Sequence, residues 1–253
     1  MVAPNGARRG KNDHPSLPLT DDEVVAAARA CFDAGANGIH AHIRDDDGLH
    51  MIDAGRYRAL LERLNKAVPG MYVQVTSEAA GRYEAAQQQQ VMRDLVPNNV
   101  SVALREMVRS ESDWPAARTF YDWARTKGVN VQHIVYSLDE LGQFIAAAET
   151  SYVPGTHHLI QLVLGTYDGT QISRAKDVQS FVDRMADSAH SFDWMLCAFG
   201  PEETECLVET HRLGGKLRIG FENSLWHADG SLARDNAERV AALREALADQ
   251  TPK

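Results

Sequence analysis

The sequence predicts a single α/β domain, a (β/α)8 TIM barrel that covers residues 1–253. Strand-like and helix-like segments alternate eight times with short connections, and the chain length is close to the ~250 residues typical of such barrels. An open, doubly wound sheet is the alternative, because it shows the same alternation. The count of eight units and the lack of a Gly-x-Gly-x-x-Gly motif after any strand favour the barrel.

The predicted strands are short apolar segments bounded by turn residues. The first is the stub Val2-Ala3, which ends at Pro4-Asn5-Gly6. In order, the eight strands cover residues 2–3, 39–43, 71–76, 100–104, 129–136, 158–164, 193–199 and 217–222.

Capping residues mark where several of the helices begin. Thr20 with Glu23 predicts a capping box, and Ser137 with Glu140 predicts a cap after the fifth strand. Pro201 follows the seventh strand and is predicted to open the next helix, at a position that suits proline. Other helices are predicted from residue 53 onward and over residues 82–95, 114–127, 174–188 and 235–247.

Composition excludes several classes of protein. With 44% hydrophobic and 24% charged residues, the chain resembles an ordinary globular protein, and no apolar run approaches the ~20 residues that span a bilayer. No signal peptide is recognisable, and the three cysteines lack metal-ligand spacing, so we expect reduced thiols and a cytoplasmic location. The net charge of −9 argues against nucleic acid as a partner.

Two histidines one residue apart are the most informative motif, in the run Ile39-His40-Ala41-His42-Ile43. Residues i and i+2 of a strand point to the same face, so both imidazoles should project to one side and could bind one metal ion. The intervening apolar residues should face the helices. A structural hydrogen-bonding role for the histidines is the alternative.

A glutamate at the end of the eighth strand completes a possible metal site. In the segment 218–222, alternation places Arg218 and Glu222 on the inner face. The second and eighth strands both flank the first, so their ends should be close. Two histidines and one glutamate form a standard catalytic zinc set that leaves a position open for substrate or water.

Further polar residues collect at the ends of the third and fourth strands. Thr76, Ser77 and Glu78 end or follow the third strand, while Ser101 and Glu106 lie on or after the fourth. In a barrel these ends form the active-site face. We therefore expect these residues near the site, although a surface or ion-paired position for Glu106 is equally compatible with the sequence.

The other histidines are weaker candidates for the site. His133 lies in the middle of a strand and should belong to the core. His14, His50 and His227 lie in predicted loops. These loops could approach the mouth of the barrel, but we expect the three side chains to be solvated.

Five motifs occur in a fixed order and together extend over most of the chain: Pro4-Asn5-Gly6-Ala7, the segments 14–18 and 35–45, Asp53-Ala54-Gly55-Arg56-Tyr57, and the segment 218–223. In combination they resemble the motifs of the β-keto acid cleavage enzyme family. The resemblance covers nearly the whole chain, from Ala3 to the last helix.

This resemblance implies a zinc-dependent (β/α)8 barrel that assembles as a homotetramer. It implies condensation of a β-keto acid with acetyl-CoA, followed by cleavage to acetoacetate and a new acyl-CoA. It also implies that His40, His42 and Glu222 hold the metal, Zn²⁺ or another divalent ion, and that Arg218 is an active-site arginine.

The chain departs from the family pattern at two positions. Asn223 stands where well-studied members have the aspartate that acts as general base, and an amide cannot take up a proton at neutral pH. Arg8 stands where those members have a glutamate, so an anionic group of the substrate or of CoA is expected there. Glu106 and Glu78 are the alternative bases. We expect Asn5, Arg8, Thr76, Ser77 and Ser101 to bind substrate.

Two alternative functions are also compatible with the sequence. A metal-dependent hydrolase of the amidohydrolase type also uses His-x-His in a barrel, but on the first strand, with further histidines on strands five and six. A non-catalytic relative that binds a keto acid or a CoA ester is the other alternative, and Asn223 is the feature in its favour.

Overall fold

The computed structural model describes residues 1–248, and its centre is a curled parallel sheet. Seven strands pair in the order β1-β4-β5-β6-β7-β8-β9, and β2 pairs with β3 in a separate antiparallel hairpin. The strands are β1 (Gly38–Ala41), β2 (Ile43–Arg44), β3 (His50–Met51), β4 (Tyr72–Thr76), β5 (Asn99–Ala103), β6 (Asn130–Val135), β7 (His157–Leu164), β8 (Ser191–Ala198) and β9 (Lys216–Leu217).

The sheet closes through the first residues of the chain. Val2 forms parallel bridges to Ile39 on one edge and to Ile219 on the other. The Val2 amide donates to the carbonyl oxygen of Gly38 at 2.8 Å, and the Ala3 amide donates to that of Ile219 at 2.8 Å. Val2 thus takes the place of the predicted first strand, and the (β/α)8 barrel is confirmed.

Helices follow the strands around the barrel, as predicted. They are α1 (Asp21–Asp33), α2 (Ala54–Ala67), α3 (Ala85–Leu95), α4 (Leu104–Met107), α5 (Trp114–Lys127), α6 (Leu138–Glu149), α7 (Val178–Ala186), α8 (Glu203–Arg212) and α9 (Asn236–Ala248), with 3-10 turns at Glu111–Asp113 and Ala175–Asp177. No helix within residues 1–248 is long and apolar enough to cross a membrane.

The predicted caps are largely confirmed. The Thr20 side chain accepts from the Glu23 amide, and Glu23 accepts from the Thr20 amide, which completes the capping box of α1. Ser137 accepts from the Glu140 amide at 3.1 Å. The prediction that Pro201 opens a helix is wrong, because Glu202 is the N-cap of α8 and Pro201 lies in the preceding turn.

The eighth strand is shorter than predicted. Regular pairing stops at Leu217, with one further bridge at Ile219. Gly220 has φ +144°, and a Cβ atom there would clash with the backbone of Ala3, so the position requires glycine. The chain turns here, and residues 221–223 form a turn instead of the predicted strand end.

Apolar side chains pack between the sheet and the helices. Ile39 and Ala41 are fully buried in this layer with Tyr57 and Leu60 of α2, which confirms the predicted outward face of the His-x-His strand. Burial of this kind stabilises the fold by roughly 25 cal/mol per Å² of apolar surface. The opposite face of the same strand is left free for polar groups.

Candidate metal centre and active site

The two histidines of the His-x-His motif meet at the carboxyl end of β1. His40 is in the strand and His42 follows it, and both side chains are buried. Their Nε2 atoms lie 3.0 Å apart. The prediction that both imidazoles project to one side is confirmed.

Glu222 approaches the same point from the turn after β9. Its Oε2 atom lies 3.7 Å from Nε2 of His40 and 3.5 Å from Nε2 of His42. The three possible ligand atoms all lie within 4.8 Å of one another. The prediction that Arg218 and Glu222 lie on the same side is also correct, since Arg218 Nη2 donates to Glu222 Oε1 at 3.0 Å. The turn at Gly220, and not strand alternation, brings the two side chains together.

This arrangement fits a divalent metal ion. Within residues 1–248, Oε2 of Glu222 is buried and has no hydrogen-bond partner, and such an orphaned carboxylate oxygen needs a compensating charge. Two imidazole nitrogens and one carboxylate oxygen are a known zinc donor set. Among the described residues no other group of three such side chains converges in this way.

Electrostatics set the protonation states that a metal requires. Burial lowers the pKa of His40 to about 4 and that of His42 to about 3, so both rings are neutral at pH 7. Burial alone would raise the pKa of Glu222, but the charge of Arg218 holds it well below its usual range. Neutral imidazoles and an ionised carboxylate are the metal-binding forms.

Polar side chains behind the ligands hold them in place. Nδ1 of His40 donates to Oε1 of Gln74 at 2.8 Å, and Nε2 of Gln74 donates to Oε1 of Gln132 at 3.0 Å. Asn5 clamps the backbone of His42, donating to its carbonyl oxygen at 3.0 Å and accepting from its amide at 3.3 Å. Partners of this kind orient metal ligands in known sites.

A cavity of about 340 Å³ opens above the ligands, at the carboxyl ends of the strands. Its size is that of a small-molecule site, and its position is that of the active site in other barrels. The predicted site residues that line it are Arg8, His40, Thr76, Glu78, Ser101, Glu106, Arg218 and Glu222.

Besides His42, three predicted site residues are buried beside the cavity and do not line it. Asn5 binds the His42 backbone, and Ser77 donates its hydroxyl to the Ser101 carbonyl oxygen at 3.0 Å. Asn223 is fully buried, and neither atom of its amide group has a hydrogen-bond partner within residues 1–248. The substrate-binding roles of Asn5 and Ser77 and the catalytic role of Asn223 stay predictions.

The two candidate bases differ in their surroundings. Glu78 Oε2 lies 3.8 Å from Nε2 of His42, and burial, with the charges of Glu222 and Glu106, raises the pKa of Glu78 to about 8. Burial also raises the pKa of Glu106, but its Oε2 accepts from the Ala79 amide at 2.9 Å and from Gln88 at 2.8 Å. Glu78 therefore faces the metal ligands, whereas Glu106 is held by neighbouring donors.

The cavity wall also contains residues that the sequence reasoning missed. Tyr167 follows β7. The guanidinium carbons of Arg8 and Arg9 lie over its ring, at 5.3 and 5.7 Å from the ring centroid. Tyr136 follows β6, with the Arg105 guanidinium 3.7 Å from its ring centroid. Both tyrosines lie just after a strand end, so an aromatic residue at that position is a signal that could have found them.

The prediction that His14 and His50 are solvated is wrong. His14 is buried, and Nε2 donates to the Ala233 carbonyl oxygen at 2.9 Å while Nδ1 accepts from the Ser16 amide. His50 is buried because the β2–β3 hairpin folds its loop back onto the barrel, and Nδ1 of His50 lies 3.4 Å from Nδ1 of His42. His227 is half-buried beside Glu238. His133 is in the core, as predicted.

Comparison with known proteins identifies the family. The model of the beta-keto acid cleavage enzyme family matches residues 1–251. The 3-oxoadipate:acetyl-CoA acetyltransferase of Cupriavidus necator is 28% identical over 96% of this chain and 87% of its own length. The 3-keto-5-aminohexanoate cleavage enzyme of Acetoanaerobium sticklandii is 26% identical over 93% of this chain and 86% of its own length.

Solved structures agree on the fold. ObcA in a binary complex with oxaloacetate superposes with a TM-score of 0.75 at 16% identity; the match covers 93% of this chain and 64% of the ObcA chain. A type I 3-dehydroquinate dehydratase from Clostridium difficile gives a TM-score of 0.63 at 9% identity, over 98% of this chain and 90% of its own. From the whole-chain match of its sequence, the chain belongs to the beta-keto acid cleavage enzyme family.

Proposed function

We propose that this protein is a metal-dependent enzyme that condenses a β-keto acid with acetyl-CoA and cleaves the product to acetoacetate and a new acyl-CoA. Membership of the family supports the reaction class. The structural observation that carries the proposal is the convergence of His40, His42 and the orphaned Oε2 of Glu222 beneath a cavity of about 340 Å³. Zn²⁺ is the metal that we propose for this donor set, and other divalent ions share its ligand preferences.

A bound divalent ion supplies Lewis acidity that polarises a substrate carbonyl. The protein's own groups then bind and orient the substrate. Arg218 is buried, lines the cavity, and donates through Nη2 to Glu222 and to the Cys197 sulfur. Its Nε atom has no hydrogen-bond partner within residues 1–248. The guanidinium thus keeps donor capacity for a substrate carboxylate, which it can bind in a planar, bidentate manner.

A carboxylate other than the residue after Glu222 must act as the general base, because Asn223 cannot accept a proton. We propose Glu78 for this role, with Glu106 as the alternative. Glu78 faces the ligands, with Oε2 3.8 Å from His42, whereas the Oε2 atom of Glu106 already accepts two hydrogen bonds. A general base must lie within reach of the proton that it removes.

Two arginine side chains lie at the mouth of the cavity. Arg8 is exposed at the mouth and lies over the ring of Tyr167, and Arg105 lies over the ring of Tyr136. We propose that this pair of cations favours a keto acid with a distal carboxylate, or a CoA phosphate, over a keto acid with an amine. A preference for 3-keto-5-aminohexanoate over neutral or acidic keto acids would contradict the proposal.

The test is acetoacetate formation from a panel of β-keto acids with acetyl-CoA, using zinc-loaded wild type, Glu78→Gln and Glu106→Gln. Loss of a general base lowers the rate by roughly 10²–10⁴-fold, so we expect this loss in Glu78→Gln and a smaller one in Glu106→Gln. Glu84→Gln is the matched control, because Glu84 pairs with Arg109 at an exposed position.

Unchanged rates in both variants would remove both glutamates as the base. Acetoacetate from no member of the panel, with keto acid or CoA ester still bound, would favour the non-catalytic alternative. The amidohydrolase-type alternative finds no support, because His133 and His158 on β6 and β7 contact Phe144 of α6 at ring distances of 4.6 and 5.2 Å, outside the metal-ligand group.

A homotetrameric state and a cytoplasmic location are further proposals; the first rests on resemblance to the family, and the second on the three free cysteines. Light scattering on a size-exclusion column tests the first, and a monomeric mass would contradict it. Fractionation of the source cells tests the second.

A further inference from the structure

The short hairpin after the His-x-His motif places a third histidine against the metal ligands. In the β2–β3 hairpin, His50 pairs with Arg44. The His50 side chain is buried, and its ring centroid lies 5.2 Å from that of His42. The edge of Tyr83 closes the other side at 6.4 Å. His50 is thus held in one position, in contact with one ligand and outside the ligand group itself.

The hydrogen-bond partners of His50 fix the direction of each bond. Nε2 of His50 lies 2.8 Å from the carbonyl oxygen of Glu78, and a carbonyl oxygen can only accept, so Nε2 carries the proton. A neutral imidazole has a single N–H, so Nδ1 of His50 is an acceptor. The atom that faces it at 3.4 Å is Nδ1 of His42, which must therefore donate.

This direction determines which nitrogen of His42 is free. With its proton on Nδ1, His42 presents the lone pair of Nε2. That atom is the one 3.5 Å from Oε2 of Glu222 and 3.0 Å from Nε2 of His40. The opposite tautomer would point an N–H at the position where the ligand atoms converge.

We propose that His50 is a positioning residue that holds His42 in its Nδ1–H tautomer and so presents Nε2 as a ligand; the ligand part of this inference rests on the metal site proposed above. The Glu78 backbone carbonyl begins this relay, so the same contact ties the loop of the proposed base to the metal ligands. Outer partners of this kind fix the tautomer and ring orientation of metal-bound histidines in other proteins.

His40 provides an internal reference. Its Nδ1 atom bonds to the amide oxygen of Gln74, which in turn donates to Gln132. This second relay does not involve His50. A change at His50 should therefore alter the tautomer of His42 and leave that of His40 unchanged.

The first test uses metal-free protein with ¹⁵N-labelled histidine and reads each ring's tautomer from long-range ¹H–¹⁵N NMR spectra. We expect Nδ1–H at His42 in the wild type and in His50→Asn, whose Oδ1 atom can accept where Nδ1 of His50 does. In His50→Leu we expect a mixture of tautomers at His42 alone. An Nε2–H tautomer at His42 in the wild type, or an unchanged ring in His50→Leu, would overturn the proposal.

The second test measures Zn²⁺ affinity by competition with a chromophoric chelator. Loss of an outer partner typically weakens binding 10–100-fold, which we expect in His50→Leu, with recovery in His50→Asn. His133→Leu is the control for removal of a buried histidine, since His133 lies in the core away from the ligands. Equal losses in both His50 variants, or none in His50→Leu, would refute the relay. If the wild type binds no Zn²⁺, the proposed function fails, while the NMR result still decides the tautomer.

Discussion

Apart from His14, the buried histidines of this barrel fall into two groups, and only one of them has the features of a site. The site group, His40, His42 and His50, lies at the carboxyl ends of the strands. The second group, His133 and His158, lies between the sheet and the helices. Burial lowers the pKa of His133 to about 3 and that of His158 to about 4, much as in the site group. A low pKa therefore reports burial and does not distinguish the two groups.

The neighbours make the difference. His133 lies between the rings of Tyr121 and Phe144, at 5.0 and 4.6 Å, and within residues 1–248 its Nδ1 atom has no hydrogen-bond partner. Nε2 of His158 lies 3.1 Å from Nδ1 of His190. In the site group, the Glu222 carboxylate lies near Nε2 of His40 and His42. The three rings also have polar partners: Gln74 for His40, His50 for His42, and the Glu78 carbonyl oxygen for His50. A functional histidine is therefore identified by a carboxylate near one ring nitrogen and a polar hydrogen-bond partner on the other, and not by burial.

The largest expected effect comes from removing the site pair. His40→Ala with His42→Ala should abolish stoichiometric binding of divalent metal, while the chain stays folded, because catalytic sites rarely hold a barrel together. Metal analysis after dialysis against Zn²⁺, with circular dichroism, measures both. His133→Leu should keep full metal content. Full occupancy in the double variant would contradict the assignment.

A smaller effect is expected at the arginine that joins Glu222 to the cavity. Arg218→Lys retains the charge but loses the planar, bidentate geometry, and loss of such a preorganised donor typically costs about 10²–10³-fold in turnover. Steady-state kinetics on the zinc-loaded protein checks this. Arg212→Lys, in an exposed pair with Glu209, should leave turnover unchanged. Wild-type turnover in Arg218→Lys would show that the role is wrong.

The smallest expected effect concerns the pH dependence of stability at the second group. The pKa of His133 is about 3 when folded, against an ordinary 6.5, so between these values the unfolded chain binds a proton that the folded chain does not. The contribution of His133 to the free energy of unfolding is therefore fully present above pH 6.5. It is lost as the pH falls towards 3, by at most about 1.4 kcal/mol per pH unit.

His133→Leu should therefore flatten the fall in the free energy of unfolding between about pH 6.5 and about pH 5, measured by urea denaturation of metal-free protein. His157→Leu is the control, because His157 is exposed. An identical slope in wild type and His133→Leu would mean that His133 does not titrate as its burial demands.

Strand and helix periodicity predicted the barrel well, because each pattern depends on residues a few positions apart. The parity of His40 and His42 is of this local kind, and so is the Thr20 capping box. The position of His50 is not local, since it depends on a hairpin that folds back eight residues after His42. The turn at Gly220 depends on the approach of Ala3, which no periodicity within the strand reveals. The sequence therefore located the candidate ligands and Asn5 beside them, but not the contact of His50 with His42.

The closure of the barrel through Val2 has a consequence for how this protein acquires its metal. The two histidines lie on one side of Val2 and Glu222 lies on the other, 180 positions further along the chain (222 minus 42). On that side, Asn236 of α9 accepts from the Phe221 amide and donates to the Pro4 carbonyl oxygen. Domains are synthesised from the amino terminus, and distant contacts form late in folding. A nascent chain contains both histidines long before it contains Glu222. Binding of an ion by all three ligands therefore requires that the last βα unit, which ends with α9, has packed onto the barrel.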